Sequence, residues 1–576
     1  MKYIYSIVFL LVSFFHGASQ DVVKLNESNQ SLTYDETISA YTNLARRFPA
    51  QAKLTTEGLT DCGKPLHLFI ISADGFFTPE AARKNGKAVV LINNGIHPGE
   101  PDGIDASVRL SQDFLNGKKK LPANVVICII PIYNIDGTLK RGCCSRANQN
   151  GPEAYGFRGN ARNLDLNRDF IKADAANTRS FIKIFRHWDP DVLVDTHVSD
   201  GADYQYTMTL ISTQHNKLGG PAGEYLKNIM TPALFPMMKS SGHEMSNYVN
   251  TAKYDDTPES GIYGFMETPR FATGYTALFQ CFGFVTETHM LKPFVSRVNA
   301  TVSFLENLIL FLAENAADVI DARKKSRALV LSQPDFPIQW KLDSTKFEQV
   351  NFKGFEAEYR TSKVTGQTQL YFNQQQKFTR PVKFYDIYEP AAIVSRPAYY
   401  ILPQAWHEVV ERLQLNQVKM QRLEKDSVIE VESYFIGDFK TVKDPYEGRY
   451  LHNSTNVTSR INKLQYLKGD YLIPVNQEAN RYIVETLEPA APDSWFNWGF
   501  FDAILQQKEW FSAYVFDDVA EKLLEENAAL KSEFERKKSE DPEFAKNSFA
   551  QLYFIYRNSS NFEDYKRYPV GRILSR

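Results

Sequence analysis

Four short apolar runs constrain this chain more than any other feature: AVVLINN at 88–94, VVICIIPI at 125–132, DVLVDT at 191–196 and FGFVTE at 282–287. They are rich in Val and Ile and lack polar–apolar alternation, the pattern of strands covered on both faces. Helical patterns lie between them. In NTRSFIKIFRHW, Phe181, Ile184, Phe185 and Trp188 recur at i, i+3, i+4 and i+7, and Asp189-Pro190 stops the helix before the next strand. The alternation predicts an α/β fold, a mixed, largely parallel sheet with flanking helices, from about residue 25 to 320.

A chain of 576 residues exceeds what one ordinary core encloses, so further domains are expected. Composition changes near residue 325. Residues 345–400 are rich in Phe, Tyr and Val, Trp406, Val409, Val410 and Leu413 mark a helix stripe, and 425–475 reads as extended. Val519, Leu523, Leu530 and Phe534 line one charged helix near the end. The expected division is a signal peptide at 1–19, an α/β domain at 20–325, and a C-terminal accessory region, β-rich and partly helical, at 326–576.

The opening MKYIYSIVFLLVSFFHGASQ joins Lys2, an apolar stretch from Tyr3 to Phe15, and the small residues Gly17, Ala18 and Ser19. That is the build of a secretory signal peptide cleaved after Ser19; the apolar stretch is shorter than the roughly 20 residues of a membrane span. No later segment reads as transmembrane, so the mature chain is expected to lack an integral membrane segment and to work in the periplasm or outside the cell. A net charge of −2 argues against nucleic acid as a partner. Five cysteines are too few for a disulfide scaffold, although one bridge is allowed, and without a CxxC they do not hold a metal. Cys128, inside VVICII, reads as a buried free thiol, and the neighbours Cys143 and Cys144 have no assigned role.

INNGIHPGEPDG at 92–103 puts His97 and Glu100 just past an apolar run, where open α/β sheets collect ligands. His197 follows DVLVDT in the same way. Two imidazoles and one carboxylate form the three-ligand set of a catalytic zinc, leaving a position for water. Glu287, closing GFVTE, is a carboxylate that need not bind the metal; at the end of an apolar strand it suits a general base, or more plainly an ion pair with Lys292. FRGNARNLDLNRDF at 157–170 packs Arg158, Arg162 and Arg168 beside Asn163 and Asn167, a dense set of planar donors for carboxylates.

His-x-x-Glu, then Asp-x-Asn-Arg, then a His and a Glu at strand ends resembles the carboxypeptidase A-like zinc metallocarboxypeptidases over about residues 30–310, with PIYNIDG at 131–137 similar to the segment before the family's arginines. The resemblance implies one Zn2+ held by His97, Glu100 and His197, with Asp165 orienting a ligand histidine. It implies that Asn167 and Arg168 grip a substrate's terminal carboxylate, that Arg158, favoured over Arg162, stabilises the oxyanion, and that Glu287 is the base. For the family's mobile tyrosine Tyr263 and Tyr275 are both candidates, though neither has the family's spacing, and the specificity pocket would come from about 265–280. The function implied is an exported zinc carboxypeptidase acting on peptides with a free C-terminus. The alternatives are a cell-wall peptide hydrolase using the same site, and a non-catalytic peptide- or glycan-binding protein that keeps the fold.

Overall fold

The computed structural model describes residues 21–253 and 256–574. The expected signal peptide, residues 1–19, lies outside the described residues. The chain forms two compact units: one takes in the described residues up to Val330 together with Trp340–Ala391, the other Leu331–Gln339 and the chain from Ala392 onward.

The first unit is built on an eight-stranded mixed sheet. Its strands are β1 (Ala52–Leu59), β2 (Pro65–Ile71), β3 (Ala88–Asn93), β4 (Val125–Ile130), β5 (Val192–Ser199), β6 (Met208–Ser212), β7 (Met245–Asn247) and, after the separate short strand β8 (Ile262–Tyr263), β9 (Phe282–His289). The order across the sheet is β1-β2-β4-β3-β5-β9-β6-β7. The four apolar runs are β3, β4, β5 and β9, which stand side by side and pair in parallel. Every residue of β3, β4 and β5 is buried, which is why these runs do not alternate.

Helices cover the sheet. Ala176–Trp188 forms as its periodicity predicts. The longest, Phe294–Ser332, is apolar enough to cross a membrane, yet 67% of its most apolar stretch is buried in the protein, so it is a core helix. Phe304, Leu308 and Leu312 join Val90, Val192 and Phe284 in one hydrophobic cluster. At the start of helix Asp102–Leu115, a Cβ on Gly103 would lie 1.9 Å from Thr196 Oγ1, so glycine is what lets this helix close onto β5.

Residues 340–391, placed by composition with the C-terminal region, cluster with the first unit. Strands Glu348–Thr361 and Thr368–Tyr385 form a long hairpin that pairs with β8 through Phe384 and Tyr385. Phe352, Phe378 and Phe384 bury themselves there against Tyr204, Tyr206 and Ile262. The aromatic content that marks a change of composition is thus a satellite core of the first unit.

The second unit centres on a six-stranded sheet that includes Tyr399–Leu402, Ser427–Ile436, Val457–Tyr466 and Gly571–Ile573. The stripe from Val519 to Phe534, expected as one helix, is two, Ala513–Glu526 and Ala528–Glu540. Asn527 divides them: its side chain accepts the Leu530 N–H at 3.0 Å and caps the second helix. Cys143 and Cys144 are joined to each other by a disulfide, while Cys62, Cys128 and Cys281 are free.

Candidate active site

The loop after β3 answers why a histidine and a glutamate sit among glycines and prolines. The Glu100 N–H donates to the His97 carbonyl at 2.8 Å, closing a tight turn over Pro98 and Gly99 that brings both side chains to one side. β5 supplies His197 and β9 supplies Glu287, and the parallel register sets these two directly opposite each other. Both lie inside their strands and not beyond the ends, because β5 and β9 go on pairing to Ser199 and His289.

Three donors converge. His97 Nδ1 lies 3.1 Å from Glu100 Oε1, and His197 Nδ1 lies 3.2 Å from Glu100 Oε2. One donor atom from each residue falls within 4.8 Å of the others, and all three side chains are buried. The opposite ring nitrogens are occupied: His97 Nε2 meets Asp165 Oδ1 at 2.9 Å, and His197 Nε2 meets Asp195 Oδ2 at 3.0 Å. Each carboxylate fixes a tautomer with Nδ1 unprotonated and facing inward, the arrangement a divalent metal requires. Two nitrogens and one oxygen fit zinc. Asp165 holds its place by accepting the Asn167 N–H at 2.9 Å and the Arg158 Nε–H at 2.9 Å. Burial alone would raise the Glu100 carboxyl, but the Arg146 guanidinium and the two imidazoles outweigh it and hold it well below the usual range. Glu100 therefore carries its charge at neutral pH and could serve as an anionic donor to a metal.

Glu287 behaves in the opposite way. Burial is the main cause pushing its carboxyl up to about 8; His197 opposes it, and Glu100, Glu267 and Asp195 add to it. Lys292, the partner considered from sequence, pairs instead with Asp203 at 3.1 Å. Arg158, Asn167 and Arg168 line the same cavity of about 440 Å3 as the three donors and Glu287. Arg168 lies 4.3 Å over the Phe271 ring, and Asn167 Oδ1 accepts the Ala272 N–H at 3.3 Å. Arg162 is exposed and donates to the Asp174 carbonyl at 2.8 Å, away from the cavity.

The tyrosine expectation needs correcting. Tyr275 is fully buried among Phe170, Phe185 and Phe279, and Tyr263 stacks on Tyr385 at 5.0 Å. Tyr248 lines the cavity in their place, its hydroxyl pushed up by burial and then by Glu287. Its segment follows β7, which pairs with β6 at the far edge of the sheet, so no spacing to Glu287 in the sequence points to it. Sequence reasoning also missed Asp195, Arg146 and Glu267. Asp195 had a signal: it stands two residues before His197 on one strand and so faces the same side. Arg146 reaches Glu100 from an exposed loop by crossing Gly99, where a Cβ would lie 2.3 Å from Arg146 Nε. A buried ion pair between Arg297 and Asp102, 3.0 Å, braces the helix that follows the ligand turn, and Asp102 also accepts the Thr288 hydroxyl at 2.6 Å.

The three donors, Glu287, Asn167 and Arg168 thus share one cavity, and residues 37–205 match the family model described as zinc carboxypeptidase. The chain is similar to that family over this segment. It is 22% identical to carboxypeptidase 2 of Trichophyton equinum over 438 residues, 72% of this chain and 74% of that protein. A probable carboxypeptidase 2 of Arthroderma benhamiae is 21% identical over 487 residues, 80% of this chain and 84% of that one. Among solved structures, carboxypeptidase A from Helicoverpa armigera aligns over 50% of this chain and 74% of its own, at 14% identity and a TM-score of 0.37.

Proposed function

We propose that the protein is exported and removes the C-terminal residue of peptides by hydrolysis, using one zinc ion held by His97, Glu100 and His197. The observation that carries this reading is that those donors, Glu287, Asn167 and Arg168 line one cavity. Zinc there supplies a Lewis acid that polarises the carbonyl and acidifies water. Glu287 takes the proton from the attacking water and passes it to the leaving nitrogen; its carboxyl, raised by burial in the metal-free protein, would be lowered by the charge of a bound ion and so be free to accept that proton. Arg158 faces the charge that develops on the carbonyl oxygen, a contribution of about 3 kcal/mol for a donor of this kind. Arg168, with Asn167, binds the terminal carboxylate and so restricts the enzyme to the chain end. The Asp165 and Asp195 carboxylates keep the two imidazoles in the ligating tautomer. Tyr248 lines the cavity that holds Glu287. Export rests on the N-terminal signal-peptide pattern, and residues beyond the first unit are assigned an accessory role.

Amidating the C-terminus of a good peptide substrate is expected to abolish cleavage, because the partly buried Arg168 would be left without its partner, a loss on the order of 2–5 kcal/mol. Equal turnover of free and amidated peptides contradicts the reading. Comparing secretion of the full chain with that of the chain lacking residues 1–19 tests export; a full chain that is not secreted contradicts export, and secretion that persists without those residues contradicts the signal-peptide reading.

A further inference from the structure

Cys143 and Cys144, neighbours in the chain, are bonded to each other on the surface, a pairing to which the proposed chemistry gives no task. The loop that carries them is pinned at both ends. Gly142 and Tyr155 exchange two main-chain hydrogen bonds, at 2.9 and 2.8 Å, and the Asn150 N–H donates to the Met290 carbonyl at 2.8 Å. Between these pins, Arg146, Ala147, Asn148 and Gln149 line the active-site cavity.

The same loop touches the turn of His97 and Glu100 at two points. The Gln149 side-chain amide donates to the Gly99 carbonyl at 2.8 Å, and the Arg146 guanidinium, lying over Gly99, donates to Glu100 Oε1. The two also hold each other, Arg146 Nη1 donating to Gln149 Oε1 at 3.2 Å. Partners that touch a metal ligand set its orientation, and losing one weakens metal binding by about 10- to 100-fold. The disulfide governs how the chain approaches Arg146. It closes a small ring around the peptide bond between the two cysteines, and in that ring Cys144 sits at φ 79°, the left-handed region that residues other than glycine rarely occupy. Just beyond, the Arg146 N–H donates to the Tyr155 hydroxyl at 3.0 Å. With the ring opened, nothing covalent keeps Cys144 at positive φ, and a return to negative φ redirects the chain immediately before Arg146.

We infer that the Cys143–Cys144 pair is a thiol-exchange site, and that its opening by a dithiol loosens the hold of Arg146 and Gln149 on the ligand turn; the inference rests on the zinc-binding reading above. One thiolate of the dithiol attacks a sulfur of the pair, the other protein sulfur leaves as a thiolate and takes up a proton, and the reagent's second thiol then resolves the mixed disulfide. The pair gains two electrons and two protons, and the dithiol ends as its own cyclic disulfide. Both cysteines are exposed, which gives the attacking thiolate access.

Full-length protein is treated with dithiothreitol, freed of it under inert gas, and compared with untreated protein by chelator competition for zinc; alkylation and mass spectrometry identify the thiols formed. Reduction is expected to lower zinc affinity about tenfold or more, and reoxidation to restore it. The double variant Cys143→Ser, Cys144→Ser is expected to show the reduced affinity and to ignore the reagent, which separates this pair from Cys62, Cys128 and Cys281. Equal affinity before and after reduction, or an equal response in the double variant, overturns the inference. Arg146→Ala is expected to bind zinc more weakly and to respond less to reduction; an undiminished response in it also overturns the inference. Should the double variant fail to fold, the reversible wild-type comparison and Arg146→Ala decide. Hydrogen–deuterium exchange of the metal-free protein reads the loop directly: exchange at 97–100 and 143–149 is expected to quicken on reduction, and unchanged exchange overturns the inference. Protein that binds no zinc in either form counts against the zinc-binding reading, and the exchange comparison still decides the role of the pair.

Discussion

Both units set arginines against carboxylates, and the two clusters end differently. In the second unit Arg572 pairs with Glu432 and, at 3.1 Å, with Glu488, which also accepts the Tyr400 hydroxyl at 2.5 Å. Each carboxylate there has a cation beside it, and the cluster ties strand Gly571–Ile573 to its neighbours. In the first unit Arg146 and Arg158 neutralise Glu100 and Asp165, but Glu287 and Glu267 face a cavity with no cation paired to them among the described residues. Satisfied charges brace a fold; a buried carboxylate left without a partner beside open space can accept a proton or a ligand.

Exchanging one carboxylate in each cluster tests this contrast most sharply. Glu287→Gln is expected to lower kcat by about 10³-fold or more while zinc, assayed by metal analysis, stays bound. Glu488→Gln is expected to leave kcat/KM alone and to lower unfolding stability by about 1–3 kcal/mol in denaturant titrations. Activity losses of similar size from the two changes would break the comparison.

Arg168→Ala comes next, with kcat/KM on peptides of free C-terminus falling by about 100-fold and discrimination against the amidated peptide lost. Retained discrimination would move the grip elsewhere. A smaller effect is expected from Asp195→Asn, which keeps the shape but weakens the hold on the His197 tautomer. Zinc affinity measured by chelator competition should drop about 10- to 100-fold.

The smallest effect is in the pH dependence of the metal-free protein. Glu287 has a folded pKa of about 8, above its ordinary 4.5. Between these values the unfolded chain loses this proton and the folded chain keeps it. The group's contribution to stability is thus fully present below about 4.5 and lost as pH rises through about 8. Glu287→Gln should therefore raise the Tm of the metal-free protein more at pH 9 than at pH 5. An equal shift at both pH values would show that Glu287 is not held protonated by its surroundings.

Much of the candidate site can be read in the sequence because its parts follow or close apolar runs, where polar residues stand out. His97, Glu100, His197 and Glu287 each follow or close an apolar run, and the structure gathers them in one cavity. Helix Ala176–Trp188 was legible for a similar reason, since its apolar face repeats at the helical period. The split at Asn527 was less so, because the apolar stripe runs across it and only a cap interrupts the backbone.

Local pattern thus determined the strands, the main helices and the residue types of the donor set, since burial on both faces and helical periodicity are properties of neighbours in the chain. Tertiary structure alone decided which distant groups share the cavity. The His197–Glu287 pairing depends on strand register, Tyr248 arrives from the sheet edge in place of Tyr263 or Tyr275, and Arg146 reaches Glu100 only because Gly99 leaves room. The physical reason is range: propensity and periodicity act within a few residues, whereas desolvation, charge pairing and close approach are set by whatever the fold brings alongside.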